Sequence, residues 1–252
     1  MLDLYPPLVE LSEAALGSPH IVFVCEHASN KIPEQFNRLG IDEAAQQSHI
    51  AWDPGALGVA RALKTKFSGD LVAGSVSRLL YDCNRPPESP TAIPAISEIF
   101  KIPGNEHLAE SQRLARVEGI YEPFRKALTK TLSRHKNGVL VTIHSFTPVY
   151  HGVHRSCEVG LLHDADTRLT DAMLTAVSQT APFKVERNVP YSMHDGVTHT
   201  LKLHAIPRGW LNVMIEIRND LIKTKEEQEK MADFITTMLS LAIQDVKENS
   251  NV

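Results

Sequence analysis

The sequence predicts an α/β protein, with three α/β/α layers around a mixed, largely parallel sheet. Three observations carry that prediction. Several apolar runs are rich in Val, Ile and Leu without the strict alternation of a half-exposed strand, as expected of a sheet covered on both faces. Helical patterns lie between those runs, the arrangement that parallel strands require. The runs also end in His, Glu, Asn or Arg, at the edge where open α/β sheets bind ligands.

In chain order, the first strand is Ile21–Cys25, which stops abruptly at Glu26-His27. A helix over Ala56–Phe67 follows, with Leu57, Val59, Ala60, Leu63 and Phe67 near a 3.6-residue period. The strand Leu71–Val76 leads into SRLLYDCNRP, which carries Arg78, Asp82, Asn84 and Arg85. The Pro-rich stretch Pro86–Pro103 has no clear period and reads as a long loop over an active site. Leu108–Leu132 is helical, kinked or divided by Pro123. Val139–Ile143 is a strand running directly into His144-Ser145, and Val159–Leu162 is a further candidate strand. A helix over Thr167–Gln179 has Asp164 and Asp166 as candidate caps. The segment Asn188–Pro207 is irregular, and its His194, His199 and His204 read as loop hydrogen-bonders. The strand Leu211–Ile217 holds Glu216 and precedes Arg218, and Lys223–Lys247 is an amphipathic surface helix.

The 252 residues show no repeat and no low-complexity linker, so one domain over 1–252 is expected. A net charge of −4 argues against a protein that tracks nucleic-acid phosphates. Cys25, Cys83 and Cys157 are odd in number and widely spaced, which suits packing roles in a reducing compartment better than a disulfide framework. Residues 1–17 lack a basic segment followed by a continuous apolar one, and no apolar run approaches the ~20 residues of a membrane span. A cytoplasmic protein with no membrane partner is expected.

The strand-end residues define a chemistry. Catalytic zinc usually takes three His, Asp or Glu ligands and lowers the pKa of a water in its open position to ~7, and a nearby carboxylate accepts that proton. His27 and His144 are the natural imidazole ligands, Asp53 in HIAWDPGA the carboxylate ligand and Glu216 the base. Each also has an ordinary reading. Asp53 can cap the helix that follows it, each histidine can bond a loop, and Glu216 can pair with Arg218. An unused carboxylate inside an apolar strand is costly, however, which favours a role for Glu216.

With these residues assembled, the sequence resembles the N-formylglutamate amidohydrolase family. The matching stretches are EHASNKIP (26–33), HIAWDPGA (49–56), SRLLYDCNRP (77–86), IHSFTP (143–148), NVPYS (188–192) and IEIRND (215–220), which span nearly the whole chain. A wider resemblance is to zinc-dependent carboxypeptidases and aspartoacylases, which implies a zinc exopeptidase-like fold. It also implies roles for His27, Asn84-Arg85, His144 and Glu216. Those enzymes place an acidic ligand three residues after the first histidine, where this chain has Asn30. Asp53 is the preferred replacement and Glu26 its competitor. Neighbouring residues on an extended chain point apart, so Glu26 and His27 would share a metal only across a bend.

The resemblance implies one divalent metal, zinc first, and hydrolysis of the amide of a small N-acyl amino acid. N-formyl-L-glutamate is the leading candidate. Arg85 would stabilise charge or clamp a substrate carboxylate, with Arg78, Asn84, Ser145, Tyr191 and Arg218 as further substrate contacts. A peptidase or murein-type amidase, or a non-catalytic metal- or carboxylate-binding protein of the same fold, are the alternatives.

Overall fold

The computed structural model describes residues 5–12, 20–177 and 181–249. Its strands, in chain order, are β1 (Leu8–Glu10), β2 (His20–Cys25), β3 (Asp70–Ala73), β4 (Ile96–Ser97), β5 (Phe100–Lys101), β6 (Gly138–Phe146), β7 (Val149–Tyr150), β8 (Val153–His154), β9 (Val159–Leu162), β10 (Val185–Arg187) and β11 (Leu211–Arg218). The α-helices are α1 (Glu43–Gln47), α2 (Ala56–Phe67), α3 (Glu110–Arg116), α4 (Glu122–Leu132), α5 (Arg168–Ala176) and α6 (Lys225–Asn249).

Seven strands make one sheet in the order β1-β3-β2-β6-β11-β9-β10. The central four, β3, β2, β6 and β11, are parallel, while β1 and β9 run antiparallel to their neighbours β3 and β11. The mixed, largely parallel sheet expected from the sequence is therefore present. Strand β2 shows why its composition is continuous rather than alternating. Ile21, Phe23 and Cys25 join the core formed with α2, α5 and α6, whereas Val22 and Val24 join the core on the opposite face with Phe124 and Leu128 of α4. All six residues of β2 are buried. Each such aliphatic side chain contributes about 1.5–3 kcal/mol relative to exposure.

Several boundaries differ from the sequence reading. The strand expected at Leu71–Val76 ends at Ala73, because the chain turns and the Gly74 amide donates to the Cys25 carbonyl at 2.9 Å. A Cβ at Gly74 would lie 2.0 Å from the Glu26 carbonyl oxygen, so this close approach needs glycine. The long helix over Leu108–Leu132 is divided into α3 and α4 by a widened turn at Val117–Tyr121, and Pro123 lies in the first turn of α4. The chain stays helical through this turn, and Pro123, which has no N–H to donate, stands just after it. Helix α5 begins at Arg168, whose amide donates to Asp166, one of the two expected caps. The expected end at Gln179, like part of the 1–17 segment, lies outside the described residues. The last helix starts at Lys225 rather than Lys223. The short strands β1, β4, β5, β7, β8 and β10 leave too little periodic pattern to be read from sequence. Among the described residues, no helix is long and apolar enough to cross a membrane.

Candidate active site

The carboxyl ends of β2, β3, β6 and β11 open onto one cavity of about 530 Å³. His27, Asp53, Arg78, Asp82, Asn84, Arg85, His144, Ser145, Tyr191 and Glu216 all line it. Nine of the ten site residues read from the sequence are in this group. Arg218 is not. It turns to Asp220 at 2.8 Å and Glu158 at 3.5 Å instead.

Asp53 is the hub. Its backbone amide donates to the His27 carbonyl at 2.9 Å, which fixes it beside the end of β2. Its Oδ2 lies 3.2 Å from His27 Nδ1 and 2.9 Å from His144 Nδ1, and accepts the Ser145 amide at 3.3 Å. Asp53 does not cap α2. Gly55 occupies the capping position with a left-handed φ of 82° and no side-chain bond. The carboxylate is thus free of the ordinary helix-capping role.

The far nitrogen of each histidine meets a second carboxylate. His27 Nε2 donates to Asp82 Oδ1 at 2.7 Å, and Asp82 Oδ2 accepts from Arg78 Nη2 at 2.6 Å. His144 Nε2 lies 3.1 Å from Glu26 Oε2, at ion-pair distance but without hydrogen-bond alignment. Glu26 Oε1 accepts the hydroxyl of Thr200. Both Nε2 atoms therefore face outer carboxylates, while both Nδ1 atoms converge with Asp53. This is the pattern in which a carboxylate orients a metal-binding imidazole. Glu26, the competitor for the third ligand, stands on the far side of His144 from Asp53. Asp82 was visible in the sequence as a strand-end residue, but nothing there showed that it would meet a histidine 55 positions away.

Burial would raise the Asp53 and Asp82 carboxyls, but the histidine charges outweigh it at both, joined by hydrogen bonds at Asp53 and by Arg78 at Asp82, and hold them low. Burial likewise opposes the shift of Glu26, whose pKa His144 lowers. Burial would lower both histidines, yet the surrounding carboxylates raise His27 and hold His144 well above its usual value. Three ionised carboxylates against the Arg78 guanidinium leave two surplus negative charges. One divalent cation at the point where the imidazoles and Asp53 converge would offset that surplus. His27, Asp53 and His144 offer ligand atoms all within 4.8 Å of one another, so donor set and charge both fit such an ion.

Glu216 completes the cluster. It is buried on β11, directly opposite His144 in the parallel register, and its Oε2 has no partner. Burial, with Asp53 adding to it, pushes its carboxyl up to about 7 against the opposing histidine charges. An orphaned carboxylate poised near neutrality, lining the cavity beside the histidines, is suited to carry a proton.

A second group, His20, Asp70 and His135, lies at the opposite end of the parallel strands. Its two rings stack with centroids 3.4 Å apart and planes 17° apart, and His135 Nε2 lies 3.5 Å from the same Asp70 Oδ2 that His20 meets. His20 Nε2 bonds Asp70 Oδ2 at 2.8 Å, and this group does not line the cavity that holds Glu216.

A sequence model of the N-formylglutamate amidohydrolase family matches residues 19–223. The chain belongs to that family. Among solved structures, a gene product of Agrobacterium tumefaciens is 48% identical, with a TM-score of 0.92 over 96% of both chains. The N-formylglutamate amidohydrolase of Ralstonia eutropha JMP134 is 18% identical and shares the fold, with a TM-score of 0.65 over 98% of this chain and 100% of that one. A comparison with curated proteins finds no match.

Several residues expected to contact substrate also make bonds within the protein. Asn84 donates through Nδ2 to the Val197 carbonyl and accepts the Thr200 amide at 3.0 Å, so it tethers the segment after Gly196. Arg85 donates to the Gly196 carbonyl. Ser145 donates to the Pro54 carbonyl at 2.8 Å, holding the turn that carries Asp53. His194, His199 and His204 do not line the cavity, and His199 instead bonds the Tyr121 hydroxyl at 2.9 Å. Sequence reasoning missed Glu98, which lines the cavity, bonds His49 at 2.9 Å and accepts the His151 amide at 3.1 Å. It also missed Arg155, on the exit from the β7–β8 hairpin, where no local pattern marks it.

Proposed function

We propose that this amidohydrolase is metal-dependent and removes the acyl group from a small N-acyl amino acid, with N-formyl-L-glutamate giving formate and L-glutamate as the leading substrate. One observation carries the reading: three convergent ligand atoms of His27, Asp53 and His144 beside the unpartnered carboxylate of Glu216. A divalent ion held there, zinc first, would supply Lewis acidity and acidify a water. Asp82 and Glu26 keep the Nε2 sides of the histidines occupied, which presents Nδ1 to the ion. Glu216 takes the proton of the attacking water and passes it to the leaving amine. Arg85 clamps a substrate carboxylate or offsets charge that develops during attack.

The small-substrate reading is supported by the Pro-rich stretch. Its Ser97 and Glu98 line the cavity, and Glu98 ties the β4–β5 hairpin to His49 and to the neighbouring hairpin at His151. A wall pinned in this way restricts a long chain more than a single amino acid. We take residues 1–252 as one domain and place it in the cytoplasm, where three buried free cysteines suit a reducing milieu.

The test couples metal analysis of the purified protein to a hydrolysis screen of N-formyl, N-acetyl and peptide substrates. Stoichiometric divalent metal with preferred turnover of N-formyl-L-glutamate supports the proposal. Absence of metal dependence, or preference for peptides, refutes it.

A further inference from the structure

Three arginines line the cavity, and they are not equivalent. Arg78 is fully engaged, with Asp82 at 2.6 Å and Asp53 at 3.5 Å. Arg85 donates one N–H to a backbone carbonyl. Arg155 is held without any counter-charge. Its guanidinium carbon lies 4.4 Å from the ring centroid of Tyr150, 5.0 Å from that of Tyr191 and 5.6 Å from that of Phe146. Its Nη1 donates to the Tyr191 hydroxyl at 3.2 Å. Among the described residues it has no carboxylate within ion-pair distance and no other side-chain hydrogen bond.

Aromatic faces attract a guanidinium and fix its plane, but they leave its outward N–H fork unsatisfied. Ordering an arginine before the ligand arrives removes much of the entropy cost of binding. A planar, pre-ordered fork facing a cavity matches a carboxylate bidentately. We propose that Arg155 is the specificity residue that receives the side-chain carboxylate of the substrate, so that the site selects an N-acylated dicarboxylic amino acid. This rests on the hydrolase reading above.

The placement divides the two carboxylates of such a substrate. The Arg85 amide donates to the Asp82 carbonyl at 3.0 Å and Asp82 meets His27, so Arg85 lies on the ligand-cluster side and suits the α-carboxylate next to the scissile amide. Arg155 bonds the Tyr191 hydroxyl rather than any carboxylate around the His27–Asp53–His144 cluster, and so suits the more distant carboxylate.

The experiment measures binding in the Glu216→Gln background, metal-loaded, by calorimetry with N-formyl-L-glutamate and N-formyl-L-glutamine. These ligands differ only in the charge of the side-chain terminus. Adding Arg155→Met, which keeps bulk against the rings, should weaken the glutamate ligand by ~10- to 100-fold, the range of a charge-assisted bond. The glutamine ligand should change by less than about threefold. Arg155→Lys should recover part of the loss, because charge returns without the planar fork. Equal weakening of both ligands, or of neither, overturns the assignment. Wild-type turnover is measured alongside. Selective binding without turnover sinks the hydrolase reading and leaves Arg155 standing, whereas turnover with an unchanged ligand ratio sinks Arg155 alone.

Discussion

Glu216 and His144 sit directly opposite each other on the adjacent parallel strands β11 and β6. Opposed residues in a parallel pair share a face of the sheet, so this register sets a carboxylate beside an imidazole without any loop taking part. His144 carries its raised pKa from Glu26 and Asp53, while Glu216 is left without a hydrogen-bond partner for Oε2. The two side chains therefore have different surroundings despite their proximity.

The first expectation is catalytic. Glu216→Gln keeps the shape of the side chain and removes no atom of the three-ligand set. Hydrolysis should fall by ~10²- to 10⁴-fold, the usual range for loss of a general acid–base, with metal content unchanged. Loss of metal would make Glu216 a ligand, and near-normal turnover would remove it from the mechanism.

Metal content separates inner from outer residues. His27→Ala and His144→Ala should each abolish stoichiometric metal in folded protein. Glu26→Gln and Asp82→Asn should retain the site but weaken it by ~10- to 100-fold, because only the orientation of the histidines is disturbed. If Asp53→Ala keeps the metal and Glu26→Gln loses it outright, the third ligand is Glu26.

Affinity for the metal should rise with pH. Both histidines have raised pKa values in the metal-free protein, so an incoming ion competes with protons that these rings hold to higher pH than an ordinary histidine does. Chelator competition between pH 6 and 8 reads the slope, and calorimetry in buffers of different ionisation enthalpy reads the protons released. A flat profile with no proton release would show that the histidines are already neutral.

Stability of the metal-free protein should report Glu216 as well. Its folded pKa of about 7 lies above the ordinary 4.5, so between those values the native state binds more protons than the unfolded one. Stability from this group is present below 4.5 and is lost as pH rises through about 7. Glu216→Gln removes that loss, so relative to wild type the variant should gain on the order of 3 kcal/mol between pH 5 and pH 8. Urea denaturation at the two pH values measures the difference, and an equal offset at both would contradict the raised pKa.

Asn84 offers a structural contrast. Asn84→Ala leaves the Thr200 amide and the Val197 carbonyl without partners in a buried setting. The expected cost is about 2–4 kcal/mol in denaturant unfolding, from two orphaned groups. Unchanged stability with a raised KM would instead identify Asn84 as a substrate ligand.

The sequence by itself determined the layered α/β class and the strand ends on which His27, His144 and Glu216 stand. Apolar runs and their polar terminators are local features, set by a side-chain period of two or 3.6 residues, and so they can be read along the chain. Asp53 was legible only as one of two alternatives, capping residue or ligand, because both place an aspartate just before a helix. The tertiary structure decided between nitrogen atoms and between carboxylates. Which imidazole edge meets Asp53, which meets Asp82 or Glu26, and why Arg155 stands among aromatic rings all depend on contacts between distant parts of the chain. The Asp53–His144 contact spans 91 positions, and the Glu26–Thr200 contact spans 174. Their geometry follows from the register of parallel strands and the loops pinned above them. No periodicity within a single segment encodes that register, which exists only once the strands have paired.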